Sequence, residues 1–434
     1  MLHPHCYHIL SLNNYLHIFN KLRNLLIISF DLINEGEPEI SFSIASILAS
    51  LKSDYSYKKD FDFHHISFNL LANEDINADS YLERIKQNVN YNDFDSIALS
   101  VYVWSESIIN SLIIKLKKDG YLGKIILGGN QITNDVFLEK IYPDCDIFII
   151  GYAEGIIKKA VIEKYEYPIR LEVKHNMLDF KSPYIMGIYS NDLQYSNLRT
   201  ETKRGCLFNC DYCGHVDLQN KGIIHHSYNR VIEDIKILKE LQVERINIID
   251  PIFTLGNNFL NYLDEIYKNR ITSKIKLQSR FEFFSNNKND EIFEKLKNIN
   301  SHIEFGVQTV FKKEADAIGR HSVKKIITEG VKNLTDAGIS FEVSIIYGLP
   351  FQTLYSFNET IRFLEDIGCV NIKAFPLMLL RGTKMYINKQ KLGLKEKNIG
   401  KLQIPYVTES FSFSEKEWIK MNELVNLKFN QNVI

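Results

Sequence analysis

The chain has 434 residues, of which 45% are hydrophobic and 24% charged, with a formal net charge of −1, enough for two or three domains with real cores and without the basic excess that a nucleic-acid backbone as partner would ask for. Its longest apolar run, Leu25-Leu26-Ile27-Ile28, is far too short to span a membrane, and no basic region leads into an apolar run and a small-residue cleavage site, so a cytoplasmic protein is expected. Six cysteines, three of them clustered, make no secreted disulfide framework and fit a metal site in a reducing compartment.

Residues 1–23 read as an N-terminal extension, and its His3-x-His5-Cys6-x-His8 as a loose terminal segment rather than a metal site. From 24 to 165, β-type apolar runs at 24–30, 64–70, 96–103, 124–127 and 147–150 alternate with helical periodicity at 41–51, 78–89 and 106–118. That alternation predicts a parallel, doubly wound, Rossmann-like α/β sheet, whose ligands sit outside the carboxyl ends of the strands. Gly128, Gly129, Gly151 and Gly155 stand at those ends, where a flat ligand needs close backbone approach. Residues 166–195 read as a linker: Tyr167-Pro168, Lys181-Ser182-Pro183-Tyr184 and Tyr189-Ser190-Asn191-Asp192 mix Pro, Ser and Asn with aromatics and lack sustained periodicity.

A second β/α series fills 196–383. Strands are expected from Leu198 and at 245–249, 274–279, 302–307, 341–346 and 371–375. Helices are expected at 227–240, 257–268, 290–298, 312–318, 323–337 and 354–367. Six units are too few for a closed eight-stranded barrel. The last segment, 384–434, carries the charged stretch 389–397 and a helix at 415–428 capped by Ser414. It reads as a short helical closure of the open barrel and the natural carrier of substrate specificity.

The first of these strands leads into Lys203-Arg204-Gly205-Cys206-Leu207-Phe208-Asn209-Cys210-Asp211-Tyr212-Cys213-Gly214-His215. Three thiolates spaced C-x3-C-x2-C on one loop can wrap a metal centre but cannot pair off as disulfides. Iron–sulfur clusters normally take four Cys ligands, so three leave one iron open to a substrate or cosubstrate. A zinc site completed by His215 and three unrelated thiols are the other readings. The C-x3-C-x-aromatic-C-Gly pattern resembles the signature of the radical S-adenosylmethionine (SAM) superfamily. The resemblance implies a partial (β/α)6 barrel in which Cys206, Cys210 and Cys213 hold a 4Fe–4S cluster. SAM would chelate the fourth iron and be cleaved reductively to a 5′-deoxyadenosyl radical, with Tyr212 against the adenine. It also implies SAM contacts from Asp250, Arg280, Glu304, Gln308 and Arg320. Asp250 stands in an Asp-Pro-Ile-Phe segment where many members have Gly-Gly-Glu. Arg320 is suited to the methionyl carboxylate by its planar fork.

The N-terminal half resembles the cobalamin-binding domain of one large subfamily of these enzymes. Ser100-Val101-Tyr102-Val103-Trp104, Ile126-Leu127-Gly128-Gly129-Asn130-Gln131 and Ile150-Gly151-Tyr152-Ala153-Glu154-Gly155 carry that likeness. It implies cofactor contacts at Ser100, Trp104, Gly128, Gly129, Gly151 and Glu154. The Asp-x-His-x-x-Gly loop of other cobalamin domains is missing, since Asp31-Leu32-Ile33-Asn34-Glu35-Gly36 follows the first strand. The implied activity is cobalamin-dependent methylation of an unactivated carbon in a natural product or peptide. The alternative is cyclisation, rearrangement or peptide epimerisation with bound or vestigial cobalamin. The implied partners are a small-molecule or peptide substrate and a one-electron reductant such as flavodoxin or ferredoxin. Cys369 is weighed as a hydrogen-atom donor against a core thiol, and Cys145 reads as structural.

Overall fold

The computed structural model describes residues 22–431 except 73–74, 174–179, 190–193, 216–221, 257, 286–289 and 322. The His3–Cys6–His8 group and Ser190-Asn191-Asp192 lie outside the described residues.

The first sheet has strands β1 (Arg23–Asp31), β2 (Phe61–Asn69), β3 (Ser96–Ser100), β4 (Lys124–Gly128), β5 (Ile147–Ile150) and β6 (Ile169–Glu172). All pairings are parallel and the order is β2-β1-β3-β4-β5-β6. The apolar run of β1 follows from burial on both faces, as in sheets covered by helices on each side. Its residues alternate between two cores. Leu26, Ile28 and Phe30 join the core under α2 (Ala78–Asn88) and α3 (Glu106–Lys118). Leu25 and Ile27 join the core under α1 (Phe42–Ser53). The short helices α4 (Leu138–Ile141) and α5 (Ile157–Ile162) follow β4 and β5. Strand order reverses between β1 and β3, so the carboxyl ends of those strands flank a crevice. Strand β6 is a correction: it lies inside the stretch expected as linker, yet pairs with β5 from Ile147↔Ile169 to Ile150↔Glu172.

The second sheet has strands β7 (Asn197–Thr200), β10 (Arg245–Ile248), β11 (Lys274–Ser279), β12 (Ser301–Gln308), β13 (Ser340–Tyr347) and β14 (Ile372–Pro376). They run parallel in the order β14-β13-β12-β11-β10-β7, so the chain winds one way. Between β7 and β10, the two-residue strands β8 (Lys203–Arg204) and β9 (Ile224–His225) pair antiparallel and bracket the cysteine loop. In β11, Ile275, Leu277 and Ser279 are buried while the residues between them are half-buried. One face of the sheet therefore packs on the helices and the other lines an open lumen. The helices are α6 (Tyr228–Leu241), α7 (Phe259–Lys268), α8 (Phe281–Phe284), α9 (Asp290–Asn298), α10 (Lys312–Ala317), α11 (Lys324–Asp336) and α12 (Leu354–Asp366).

After α13 (Lys384–Ile387), the tail contains a hairpin, β15 (Lys395–Ile399) with β16 (Ile404–Glu409), before α14 (Glu415–Phe429). The helix lies where the sequence placed it, and the hairpin falls partly in the stretch read as charged. Ser414 and Glu417 form a capping box at the start of α14. Trp418, Met421 and Val425 are buried against the barrel core, and the Tyr347 hydroxyl donates to Asn422 Oδ1 at 2.7 Å. Among the described residues no helix is long and apolar enough to cross a membrane.

Candidate functional site

The cysteine loop leaves β8 through Gly205, whose φ of +86° suits glycine and whose missing Cβ would lie 2.4 Å from Gly222 O. Backbone bonds pin it further on: Asp211 N donates to Ile318 O at 2.9 Å, Cys213 N to Cys210 O at 3.1 Å, and Met385 N to Asp211 O at 2.9 Å. The loop is thus held by the segment after α10 and by α13. Burial pushes the Cys206 and Cys213 thiols up and the neighbouring Cys210 sulfur adds to it, while Arg280 and Arg320 oppose it at Cys206. A bound metal centre would oppose that rise, because its cations favour the thiolates. Among the described residues, no three His, Cys, Asp or Glu side chains converge on a single ion. A cubane takes each thiolate at a separate iron, so the three Cys side chains need not converge on one ion.

The residues implied for SAM divide. Arg320 donates to Gly306 O and reaches Cys210 Sγ at 3.9 Å. The Arg280 guanidinium lies 4.0 Å from the ring centroid of Phe208, inside the cysteine loop, and donates to Glu282 at 2.6 Å. Burial raises Tyr212, which meets Arg320 and Gln308. Arg280 Nη1 and Gln308 Oε1 are buried without a hydrogen-bond partner. Orphaned polar atoms beside the cysteine loop are what a polar cosubstrate would satisfy. Asp250 and Glu304 are placed otherwise. Asp250 is fully buried; it accepts from Thr202 N at 2.7 Å, Thr202 Oγ1 at 2.5 Å and Lys203 N at 3.3 Å, with Lys203 Nζ at 3.6 Å. Both its oxygens have protein partners, so it braces the strand ahead of the cysteine loop. Glu304 accepts from the Ser344 hydroxyl at 3.2 Å and lies 3.5 Å from Lys276 Nζ, within a lumen ion network with Glu342 and Lys373.

On the other side of Cys210 and Cys213 opens a cavity of about 1480 Å³ between the two sheets. Ser100, Trp104, Gly128, Gly129, Gly151 and Glu154, all implied for cobalamin, line it together with Cys210 and Cys213. Tyr102 and Trp104 stack at 4.7 Å and 6° to form a flat wall, and Trp104 Nε1 donates to Phe30 O at 3.0 Å. Gly129 has φ +106°, and a Cβ there would meet Val101 O at 2.6 Å; Gly151 has φ +88° and open space around it. Ser100 Oγ and Thr133 Oγ1, both on the wall, are buried without partners. A flat wall, glycine-lined strand ends and orphaned hydroxyls fit a large planar cofactor bearing amides. His215, which is exposed, also lines the cavity.

Glu154 is occupied. Its carboxylate takes Arg204 Nη1 at 2.6 Å, while Arg204 Nε lies 2.9 Å from both oxygens of Glu201 and Arg204 Nη2 donates to Ser46 Oγ at 2.9 Å. The guanidinium also lies 4.0 Å from the Phe180 centroid and 5.1 Å from that of Tyr152. His226 Nε2 reaches Glu201 at 3.1 Å. The sequence reading passed over Arg204 and Glu201; the one available signal was a cation immediately before Gly205-Cys206. It also missed Glu37, which takes Asn197 Nδ2 at 3.0 Å and Arg199 Nη2 at 2.8 Å, and Arg381, whose Nη2 donates to Glu106 at 2.5 Å. Both pairs join the two sheets' domains. Cys369 is a core thiol: it is 4% exposed, burial pushes it up to about 12, and it precedes β14 at the end of the barrel away from the cysteine loop. Cys145 is buried too, with Sγ 3.3 Å from Ile147 O.

Residues 200–364 match the profile of the radical SAM superfamily. The chain is 22% identical over 323 residues to 2-(S-pantetheinyl)-carbapenam-3-carboxylate methyltransferase of Streptantibioticus cattleyicolor, covering 64% of this chain and 45% of that protein. It is 25% identical over 186 residues to the ribosomal protein uS12 methylthiotransferase RimO of Clostridium novyi, covering 39% and 40%. The chain thus spans less than half the length of these curated relatives. Among solved structures, the radical SAM methyltransferase TsrM of Kitasatospora setae superposes with a TM-score of 0.69 at 12% identity, over 94% of this chain and 89% of that one. The cobalamin-dependent SAM radical enzyme OxsB superposes with a TM-score of 0.63 at 15% identity, over 93% and 66%. At these identities the structural likeness is one of fold.

Proposed function

We propose that this chain, whose residues 200–364 are a radical SAM domain, is a cobalamin-dependent methyltransferase that adds a methyl group to an unactivated carbon of a natural-product or peptide substrate. One observation carries the reading: Cys210 and Cys213 share a single cavity of about 1480 Å³ with the strand-end loops of the N-terminal sheet. Ligand pockets usually measure about 300–1,000 Å³, so this volume suits a macrocyclic cofactor with a second ligand beside it. The names of the relatives support the same reading. The carbapenam enzyme is a methyltransferase, TsrM has been solved with cobalamin and a 4Fe–4S cluster, and OxsB with aqua-cobalamin and SAM.

When bound, cluster and SAM supply a 5′-deoxyadenosyl radical, and cobalamin supplies the methyl group. The chain's own part is placement and exclusion. Cys206, Cys210 and Cys213 would hold the cluster, and Arg280 and Gln308 offer a free donor and a free acceptor beside it. Tyr102 and Trp104 would seat the corrin, while Gly129 keeps the β3 and β4 ends close together beneath it. Walls from two domains would flank the reacting groups when both cofactors are bound. An external one-electron carrier of the flavodoxin or ferredoxin class would supply the electron.

The test is anaerobic reconstitution with iron, sulfide and hydroxocobalamin, then SAM and dithionite. The reading expects a retained corrin, 5′-deoxyadenosine, and a product heavier by one methyl group for an accepted substrate. A product of unchanged mass would move the assignment to rearrangement or epimerisation. Absence of 5′-deoxyadenosine from a cluster-loaded chain would remove the radical reading altogether.

A further inference from the structure

Arg204 stands immediately before Gly205-Cys206, yet two of its partners belong to the other domain. Nη1 binds Glu154, in the turn after β5, and Nη2 binds Ser46, on α1. From its own side, Glu201 holds it by two bonds of 2.9 Å to Nε. Each of the three guanidinium nitrogens thus has a partner, and the side chain is 11% exposed with two aromatic rings packed against it. A Lys ammonium offers no such planar set of donors. The Glu154 turn is tied in turn to α1, because Ser50 Oγ donates to Glu154 O at 2.9 Å. On the cysteine side Gly205 has no slack: its backbone passes too close to Gly222 O for a Cβ. The guanidinium's partners thus tie the residue that opens the cysteine loop to the Glu154 turn and to α1.

We propose that Arg204 is a positioning residue that fixes the cysteine loop against the Gly151–Gly155 turn, so that order in either loop depends on Glu154 in one domain and Arg204 in the other. This goes beyond the proposed activity and rests on it only for the cluster the chain carries and for the corrin arm of the test. The effect must cross the domain interface. A residue of merely local importance would disturb its own loop and leave the other unchanged.

The experiment is hydrogen exchange on the full chain carrying its cluster, comparing wild type, Glu154→Gln and Arg204→Lys. In Glu154→Gln, amides in 205–213 are expected to exchange about tenfold faster although the substitution lies in the other domain. In Arg204→Lys, amides in 151–155 are expected to do the same, and the double variant to be no worse than the more severe single one. Glu154→Gln keeps the shape of the side chain and guards against a simple folding failure of Arg204→Lys; far-UV circular dichroism checks both. Exchange in 205–213 unchanged by Glu154→Gln would overturn the proposal. Affinity for hydroxocobalamin is the second arm, expected to fall about tenfold in each variant. A wild-type chain that binds no corrin would count against the methyltransferase reading, while the exchange result still decides the role of Arg204.

Discussion

Three thiols on one loop, with two guanidinium groups against it, divide the labour at the scale of single residues. Replacing Cys206, Cys210 or Cys213 by Ala is expected to abolish the visible absorbance of the cluster and the formation of 5′-deoxyadenosine, read by chromatography after dithionite. Behind the loop, Asp234 is buried on α6, where it accepts from Ser182 and lies 3.8 Å from Arg230. Burial raises its pKa from 3.8 to about 6. The folded carboxyl keeps its proton where the unfolded one has lost it. Its stabilising contribution is therefore full below 3.8 and is lost as pH rises to about 6, on the order of 3 kcal/mol. Asp234→Asn has no proton to lose. Its stability relative to wild type should rise between about pH 4 and pH 7, by urea unfolding at each pH; a pH-independent difference would contradict the shift. At this scale the sequence was legible where residue type and spacing alone mark a candidate site, as in the three cysteines of one loop. It was not legible where an identical carboxylate can have any partner. Asp250, Glu304 and Glu154 were read as cofactor contacts, and nothing in the sequence showed that tertiary register also gives them Thr202 and Lys203, Ser344 and Lys276, and Arg204 as partners.

Strand ends carry the argument at the scale of elements. Gly129 and Gly151 both have positive φ, but only Gly129 is crowded, by Val101 O at 2.6 Å and Val101 N at 2.9 Å. Gly129→Ala should therefore lower thermal stability by more than the roughly 1 kcal/mol of backbone strain expected for Gly151→Ala. Gly151→Ala should keep the fold and weaken corrin binding, since its methyl group points into open cavity space. Equal melting temperatures would contradict the crowding. The strands of both sheets were legible because fully covered parallel strands read as apolar runs, as Leu25-Leu26-Ile27-Ile28 does. Strand β6 was not: Ile169-Arg170-Leu171-Glu172 is a half-buried edge strand beside Pro168, with too short an alternation to stand out in a Pro- and Ser-rich stretch. The β15–β16 hairpin hid in the same way, its first strand reading as a run of solvated charge.

The whole molecule is two parallel sheets whose carboxyl ends face one cavity. The linker, Glu37 against Arg199, Arg204 against Glu154 and Arg381 against Glu106 hold them there. Neither sheet alone encloses a volume of about 1480 Å³. The existence of both sheets was legible from periodicity. Their apposition was not, because it rests on pairs 50 to 275 residues apart in the chain. The central claim is that this shared cavity holds a corrin beside a SAM-cleaving cluster. The most direct measurement is the visible spectrum and metal count of the chain after anaerobic reconstitution with iron, sulfide and hydroxocobalamin and exhaustive desalting. The account predicts about one corrin retained with a cluster of about four irons per chain. A full cluster with no corrin would contradict it.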